Sequence, residues 1–138
     1  MKNYKFKNLK IGLSSSFEKK ITSNIVKNFI KISGDNNLIH TDPKFAKKYN
    51  FKKNIGHGMI LALFYSKFIG KVLPGKYSLI ISTDLRFHKP FFINDKLKFL
   101  GKVTHLNKLY KIATVYIKAS NQEKKLISTC SANIKLHE

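Results

Sequence analysis

After a strand-like opening, the hydrophobic positions follow a helical period to about residue 73 and a two-residue period beyond it. Residues 4–20 read as one or two strands, with Ile11, Leu13 and Phe17 as core candidates. Thr22 can cap a helix, and Ile25, Val26, Phe29, Ile30 and Ile32 then recur at helical spacing until Gly34 ends the run. Asp35 to Ile55 has the pattern of a loop carrying a short helix, which starts near Pro43 and includes Phe45, Ala46 and Tyr49. Gly58 to Leu73 is apolar on nearly every face, and only Lys67 and Lys71 interrupt it. A helix of that kind is expected to be buried almost entirely, and Pro74-Gly75 stops it.

Four strand-like segments follow. Tyr77–Phe87 is rich in Ile, Leu and Ser/Thr, and in Lys96–Thr104 the apolar Leu97, Phe99 and Val103 alternate with lysines. Ala113, Val115 and Ile117 make one face of Tyr110–Ala119. In Leu126–Leu136 an inward set containing Leu126, Cys130, Ala132, Ile134 and Leu136 alternates with Ile127, Thr129, Ser131 and Lys135. Asn107-Lys108 and Asn121-Gln122 supply the turns. Helices first and consecutive strands afterwards predict an α+β domain, a largely antiparallel sheet curling around one buried helix.

The 138 residues fit a single domain spanning 1–138, and a hydrophobic fraction of 43% argues against disorder. No apolar stretch reaches the roughly 18 residues needed to cross a bilayer, and Met1 to Leu13 lacks the continuous apolar core of a secretory signal. Cys130 is the one cysteine and lies on the inward alternation of the last strand, so no disulfide is expected. Together these features predict a soluble, cytoplasmic protein with no membrane partner.

Charge complicates this picture. Lys+Arg number 27 against 7 Asp+Glu, a formal net charge of +20. A nucleic-acid partner is one reading of that excess, because lysines release counterions from phosphates. Against it, Arg86 is the single arginine, and the lysines run from Lys2 to Lys135 without clustering. An AT-rich genome would enrich Lys, Asn, Ile, Phe and Tyr together, as here. The field still favours anionic ligands.

Candidate chemistry sits between the first helix and the apolar one. Asp35 and His40 place a carboxylate and an imidazole five residues apart on a loop that begins at a helix end. If the loop curls, both reach one point, and the imidazole can accept and donate a proton near neutral pH. On spacing alone the pair also suits a structural role, with Asp35 in an Asx-type turn and His40 partly buried and hydrogen-bonded.

The run Phe29-x-x-x-Ser33-Gly34-Asp35-x-Asn37-x-x-His40-x-Asp42-x-x-x-Ala46, followed by His57-Gly58-Met59, resembles the MaoC-like (R)-specific enoyl-CoA hydratases. The likeness continues through Pro74-Gly75, Phe87-x-x-Pro90 and Asn94-Asp95, over roughly residues 20 to 136. Leu38 departs from the pattern, which usually has proline there. The resemblance implies a hot-dog fold, in which the curved antiparallel sheet wraps around the buried central helix. It also implies a homodimer whose two sheets join edge to edge.

The implied reaction is interconversion of trans-2-enoyl and (R)-3-hydroxyacyl thioesters. Asp35 and His40 match the acid–base pair, and Gly58 the glycine whose backbone N–H polarises the thioester carbonyl. Ser66 and Ser33 match supporting positions, and Asn37 a brace for the loop. His57 reads as packing at the helix entrance rather than as a direct catalyst. The partner would be an acyl-CoA or an acyl carrier protein, with the substrate carried on coenzyme A or phosphopantetheine and no separate cofactor. His40-x-Asp42 with His57 is not a recognised metal-ligand spacing, so no metal is expected. His88, His105 and His137 read as surface or edge residues. Two other classes compete. A hot-dog thioesterase would need a carboxylate on the central helix, and Gly58 to Leu73 contains none. A noncatalytic acyl- or nucleic-acid-binding module would have no use for Asp35, Asn37, His40, Gly58 and Ser66 together.

Overall fold

A computed structural model describes residues 3–138. The five strands are β1 (Ser14–Lys20), β2 (Ser78–Phe87), β3 (Lys96–Asn107), β4 (Ile112–Ser120) and β5 (Leu126–Leu136). They form one antiparallel sheet in the order β1-β3-β4-β5-β2, so β1 and β2 are its edges. Four α-helices precede β2: α1 (Ser23–Ser33), α2 (Leu38–Thr41), α3 (Pro43–Lys48) and α4 (Met59–Lys67). A π-helical stretch, Phe68–Val72, prolongs α4.

The expected inward faces form the core. Leu97, Phe99 and Val103 of β3 are buried, as are Ala113, Val115, Ile117 and Ala119 of β4. Ile60, Leu61, Tyr65, Phe68 and Ile69 of the central helix press into the sheet. Phe17 pairs directly with Phe99 across β1 and β3, the rings stacked 4.9 Å apart, and Tyr65 meets Phe99 edge-on at 5.5 Å. Gly101 leaves room for the Phe68 ring, which lies 2.6 Å from where a Cβ would stand.

Several expectations need correction. The opening segment has no strand before Ser14, because a 3-10 turn over Phe6–Asn8 breaks the alternation. Leu9 is consequently buried while Ile11 points outward. Ile32 is exposed at the end of α1. The central helix is not covered on all sides: Met59 and Leu63 are each more than half exposed, because a sheet covers only one face of a helix lying on it. Ile127 and Thr129 are buried on β5, where the pairing with β4 shifts register beside Ser120 and upsets the simple alternation. Asn94 adopts a left-handed φ of 75°, a conformation asparagine tolerates. Among the described residues no helix is long and apolar enough to cross a membrane.

Candidate active site

The segment between α1 and α2 is shaped by short side chains bonding to nearby backbone. Gly34 ends α1 with a left-handed φ of 75°, and its N–H donates to the Ile30 carbonyl. The Ser33 hydroxyl donates to the Phe29 carbonyl and accepts from the Asp35 N–H at 3.1 Å. Asp35 accepts from the Asn37 N–H, and Asn37 in turn accepts from the Ile39 N–H, capping α2. Asp42 then caps α3 by accepting from Lys44 and Phe45. Each link satisfies a donor that the turn would otherwise leave open. Leu38 occupies the first position of α2, where proline's fixed φ also fits.

Asp35, His40 and His57 converge here, with donor atoms from all three within 4.8 Å of one another. The His40 and His57 rings stack, centroids 3.8 Å apart and planes 27° from parallel. His40 Nδ1 lies 2.8 Å from the Ile55 carbonyl oxygen. A carbonyl only accepts, so Nδ1 carries a proton, and in the neutral ring the lone pair is on Nε2. His57 Nε2 lies 3.0 Å from the Asp35 carbonyl oxygen, so Nε2–H is the donor there. Burial, the largest influence, holds the His57 imidazole below its ordinary pKa, against the smaller upward pull of the Asp35 backbone bond. His57 is therefore neutral near pH 7, and its 4.0 Å approach to the Asp35 carboxylate is not an ion pair. Nδ1 of His40 and Nε2 of His57 are both bonded to carbonyls, which leaves each ring its other nitrogen.

His40 forms part of the wall of a cavity of about 450 Å³. Its other walls come from Phe51, Ile55, Gly58, Met59 and Leu61, and from Phe87 to Phe91 opposite. The segment leading into α4 is anchored there by the Gly56 N–H donating to the Phe91 carbonyl and by an Ile55–Phe92 bridge. No side chain caps α4. Among the described residues the N–H groups of Gly58 and Met59 meet no acceptor, although both residues face the cavity. Gly58 has ordinary right-handed helical angles, so its missing side chain matters for space: a Cβ would stand 3.0 Å from the Phe87 ring.

The remaining sequence candidates fall into two groups. Ser33 and Asn37 lie inside the turn network. Ser66 lies about 12 Å further along the helix axis than Gly58, exposed, with no hydrogen bond to Asp35 or His40 among the described residues. His88 proves to be a cavity residue, its Nε2 3.2 Å from the buried Thr129 hydroxyl. Ile55 and Asn54 were not legible in advance. Ile55 acts through a main-chain carbonyl that leaves no mark on side-chain pattern, and Asn54 through its amide donating to the Ile39 carbonyl. Cys130 is fully buried, its thiol pushed up to about 11 by burial, which suits a core residue.

A family model for the MaoC like domain matches residues 7–125. The chain is 34% identical over 128 residues to an (R)-specific enoyl-CoA hydratase of Aeromonas caviae, an alignment covering 93% of this chain and 96% of that one. A 3-hydroxybutyryl-CoA dehydratase of Methylorubrum extorquens is 36% identical over 101 residues, covering 73% and 64%. Among solved structures, the (R)-hydratase from A. caviae involved in PHA biosynthesis superposes with a TM-score of 0.89 at 34% identity, over 95% of this chain and 99% of that one. An unliganded R-hydratase from Pseudomonas aeruginosa gives 0.91 at 28% identity, over 99% and 87%. The chain belongs to the MaoC-like family and has its hot-dog fold.

Proposed function

We propose that this protein is a hydro-lyase that interconverts trans-2-enoyl and (R)-3-hydroxyacyl thioesters, with Asp35 and His40 activating the water and the Gly58 N–H holding the thioester oxygen. The observation that carries this reading is the 2.8 Å contact between His40 Nδ1 and the Ile55 carbonyl oxygen. With Nδ1–H tied there, a basic Nε2 remains in the neutral form of a ring that walls an apolar cavity beside the uncapped start of α4.

In the hydration direction, a water held between the Asp35 carboxylate and His40 Nε2 gives up a proton as its oxygen bonds to C3. The C2–C3 π electrons move toward the thioester, and negative charge gathers on the carbonyl oxygen. A free N–H at a helix start stabilises charge at that point. Protonation at C2 returns the electrons and completes the hydroxyacyl product. Acid–base groups typically supply about 10²–10⁴-fold, and an oxyanion donor on the order of 2.7–4 kcal/mol. Both are needed, with positioning, to reach an ordinary enzymatic acceleration.

The substrate would enter on coenzyme A or on the phosphopantetheine arm of a carrier protein, whose phosphates suit a chain of net charge +20. A homodimer fits the exposed edge strand β2, where Leu79 and Ile81 are more than half exposed beside Ile80. No metal or separate cofactor takes part in this scheme.

The test is hydration of crotonyl-CoA, followed by loss of enoyl absorbance and chiral analysis of the product. Wild type should yield (R)-3-hydroxybutyryl-CoA, and folded Asp35→Asn and His40→Gln should each lose about 10²–10⁴-fold in kcat. A wild type silent on crotonyl-CoA, on longer enoyl-CoA chains and on carrier-bound enoyl groups would refute the assignment.

A further inference from the structure

We infer that His57 is a positioning residue, a neutral imidazole that holds the two ends of the acid–base loop in register through its Nε2–H and its ring face. The inference rests on the proposed roles of Asp35 and His40 and deepens them. The Nε2–H fixes the Asp35 backbone at 3.0 Å, and the ring face supports His40 at a centroid distance of 3.8 Å. One side chain therefore touches both members of the pair, at opposite ends of the loop. Phe29 of α1 packs against the same imidazole at 4.9 Å. With 2% of its surface exposed, His57 has little freedom to leave this place.

Neutrality is part of the arrangement. His57 Nδ1 is buried and has no hydrogen-bond partner, so a proton added there would find no acceptor, with the Asp35 carboxylate 4.0 Å from Nε2 to offset part of the charge. The titratable groups facing the ring are Asp35, from the loop after α1, and His40, from α2. A charged His57 would repel the imidazolium that His40 becomes on taking the water's proton, whereas a neutral ring stacks without opposing it. Burial keeps the His57 imidazole on the neutral side.

Three variants separate the contributions. A glutamine amide places its nitrogen where Nε2 of histidine lies, and an asparagine amide places it nearer Nδ1. His57→Gln therefore retains the bond to Asp35 without the ring, His57→Asn retains neither, and His57→Phe retains the ring without the donor. Loss of register at this scale typically costs about a hundredfold in kcat, so His57→Asn should fall by about that factor and His57→Gln by about tenfold, with KM for crotonyl-CoA within about twofold of wild type. His57→Phe, which preserves buried ring volume, should keep the melting temperature while kcat falls about tenfold.

A readout independent of turnover accompanies these. Imidazole nitrogen NMR should show His40 as the single Nδ1–H tautomer in wild type and a mixture in His57→Asn, with faster amide exchange over residues 35–40. Equal kcat in all four folded proteins, or an unchanged His40 tautomer and loop exchange in every variant, would overturn the proposal. If wild type hydrates no enoyl thioester, the functional reading fails separately, and the NMR and exchange data still decide whether His57 holds the loop.

Discussion

Gly56 and Gly58 flank His57, and each faces an aromatic ring under different conditions. A Cβ on Gly56 would stand 2.1 Å from the Phe91 ring, which is buried and has nowhere to move. The same atom on Gly58 would meet the Phe87 ring at 3.0 Å, and that ring is half exposed and able to yield. Gly56→Ala should therefore cost at least about 1–3 kcal/mol, and Gly58→Ala clearly less, as read from urea midpoints. Equal midpoints for the two variants would contradict this packing account. His57 supplies a second residue-scale prediction. Its folded pKa lies below the ordinary 6.5, so below that pH the unfolded chain binds more protons than the native one. Stability should then rise with pH across the window between the lowered value and 6.5, and be lost as pH falls through it. His57→Phe should flatten that slope in denaturation series from about pH 7.5 to about pH 5.5, and parallel slopes would show that His57 does not contribute it. Asp35, His40 and Gly58 were singled out through the resemblance to a family pattern, since spacing alone also suited Asp35 and His40 to a structural role. What orients them was not legible, since the carbonyls of Ile55 and Asp35 that accept from the two rings belong to the main chain.

At the scale of elements, periodicity located the parts well and their coverage less well. The limits of β5 and the inward faces of β3 and β4 follow from alternation, because each strand keeps one face on the core. The central segment was read as almost entirely buried, yet Met59 and Leu63 are exposed and its second half, from Phe68, is π-helical. Composition reports how apolar a helix is, not how many layers exist to cover it. The π-helical stretch carries Phe68 over Gly101 of β3, where the ring also meets Phe17 at 6.2 Å. A methyl at residue 101 would lie 2.6 Å from Phe68 and 3.0 Å from Ile117. Gly101→Ala and Phe68→Leu should each destabilise, the first by overpacking and the second by lost ring contacts. Combined, they should cost less than their sum, with a coupling of about 0.5–3 kcal/mol in a double-mutant cycle. Strict additivity would mean that helix and strand do not meet through this pair.

For the whole molecule, the distribution of acids explains why so large a positive charge persists in the fold. Glu18, Asp84 and Glu123 each pair with a nearby cation at the surface, where such bridges contribute little to stability, and the less exposed Glu138 pairs with Lys111. Asp35, Asp42 and Asp95 accept instead from backbone N–H groups of turns and caps. All seven acidic residues are thus engaged locally, and most of the 27 basic residues are left to set the long-range field. Such a field acts before binding, drawing polyanions toward the surface, and does not enter the chemical step once the thioester lies beside His40. Coenzyme A phosphates would feel it and an uncharged thioester would not. Raising ionic strength from about 0.02 M to about 0.5 M shortens the Debye length to a few ångströms, so kcat/KM for crotonyl-CoA should fall severalfold while kcat holds steady. With the pantetheine thioester, which lacks the nucleotide phosphates, kcat/KM should be nearly flat over the same range. A salt response of equal size for both substrates would assign the effect to the protein's own stability, and no response for either would leave the charge without a part in substrate capture.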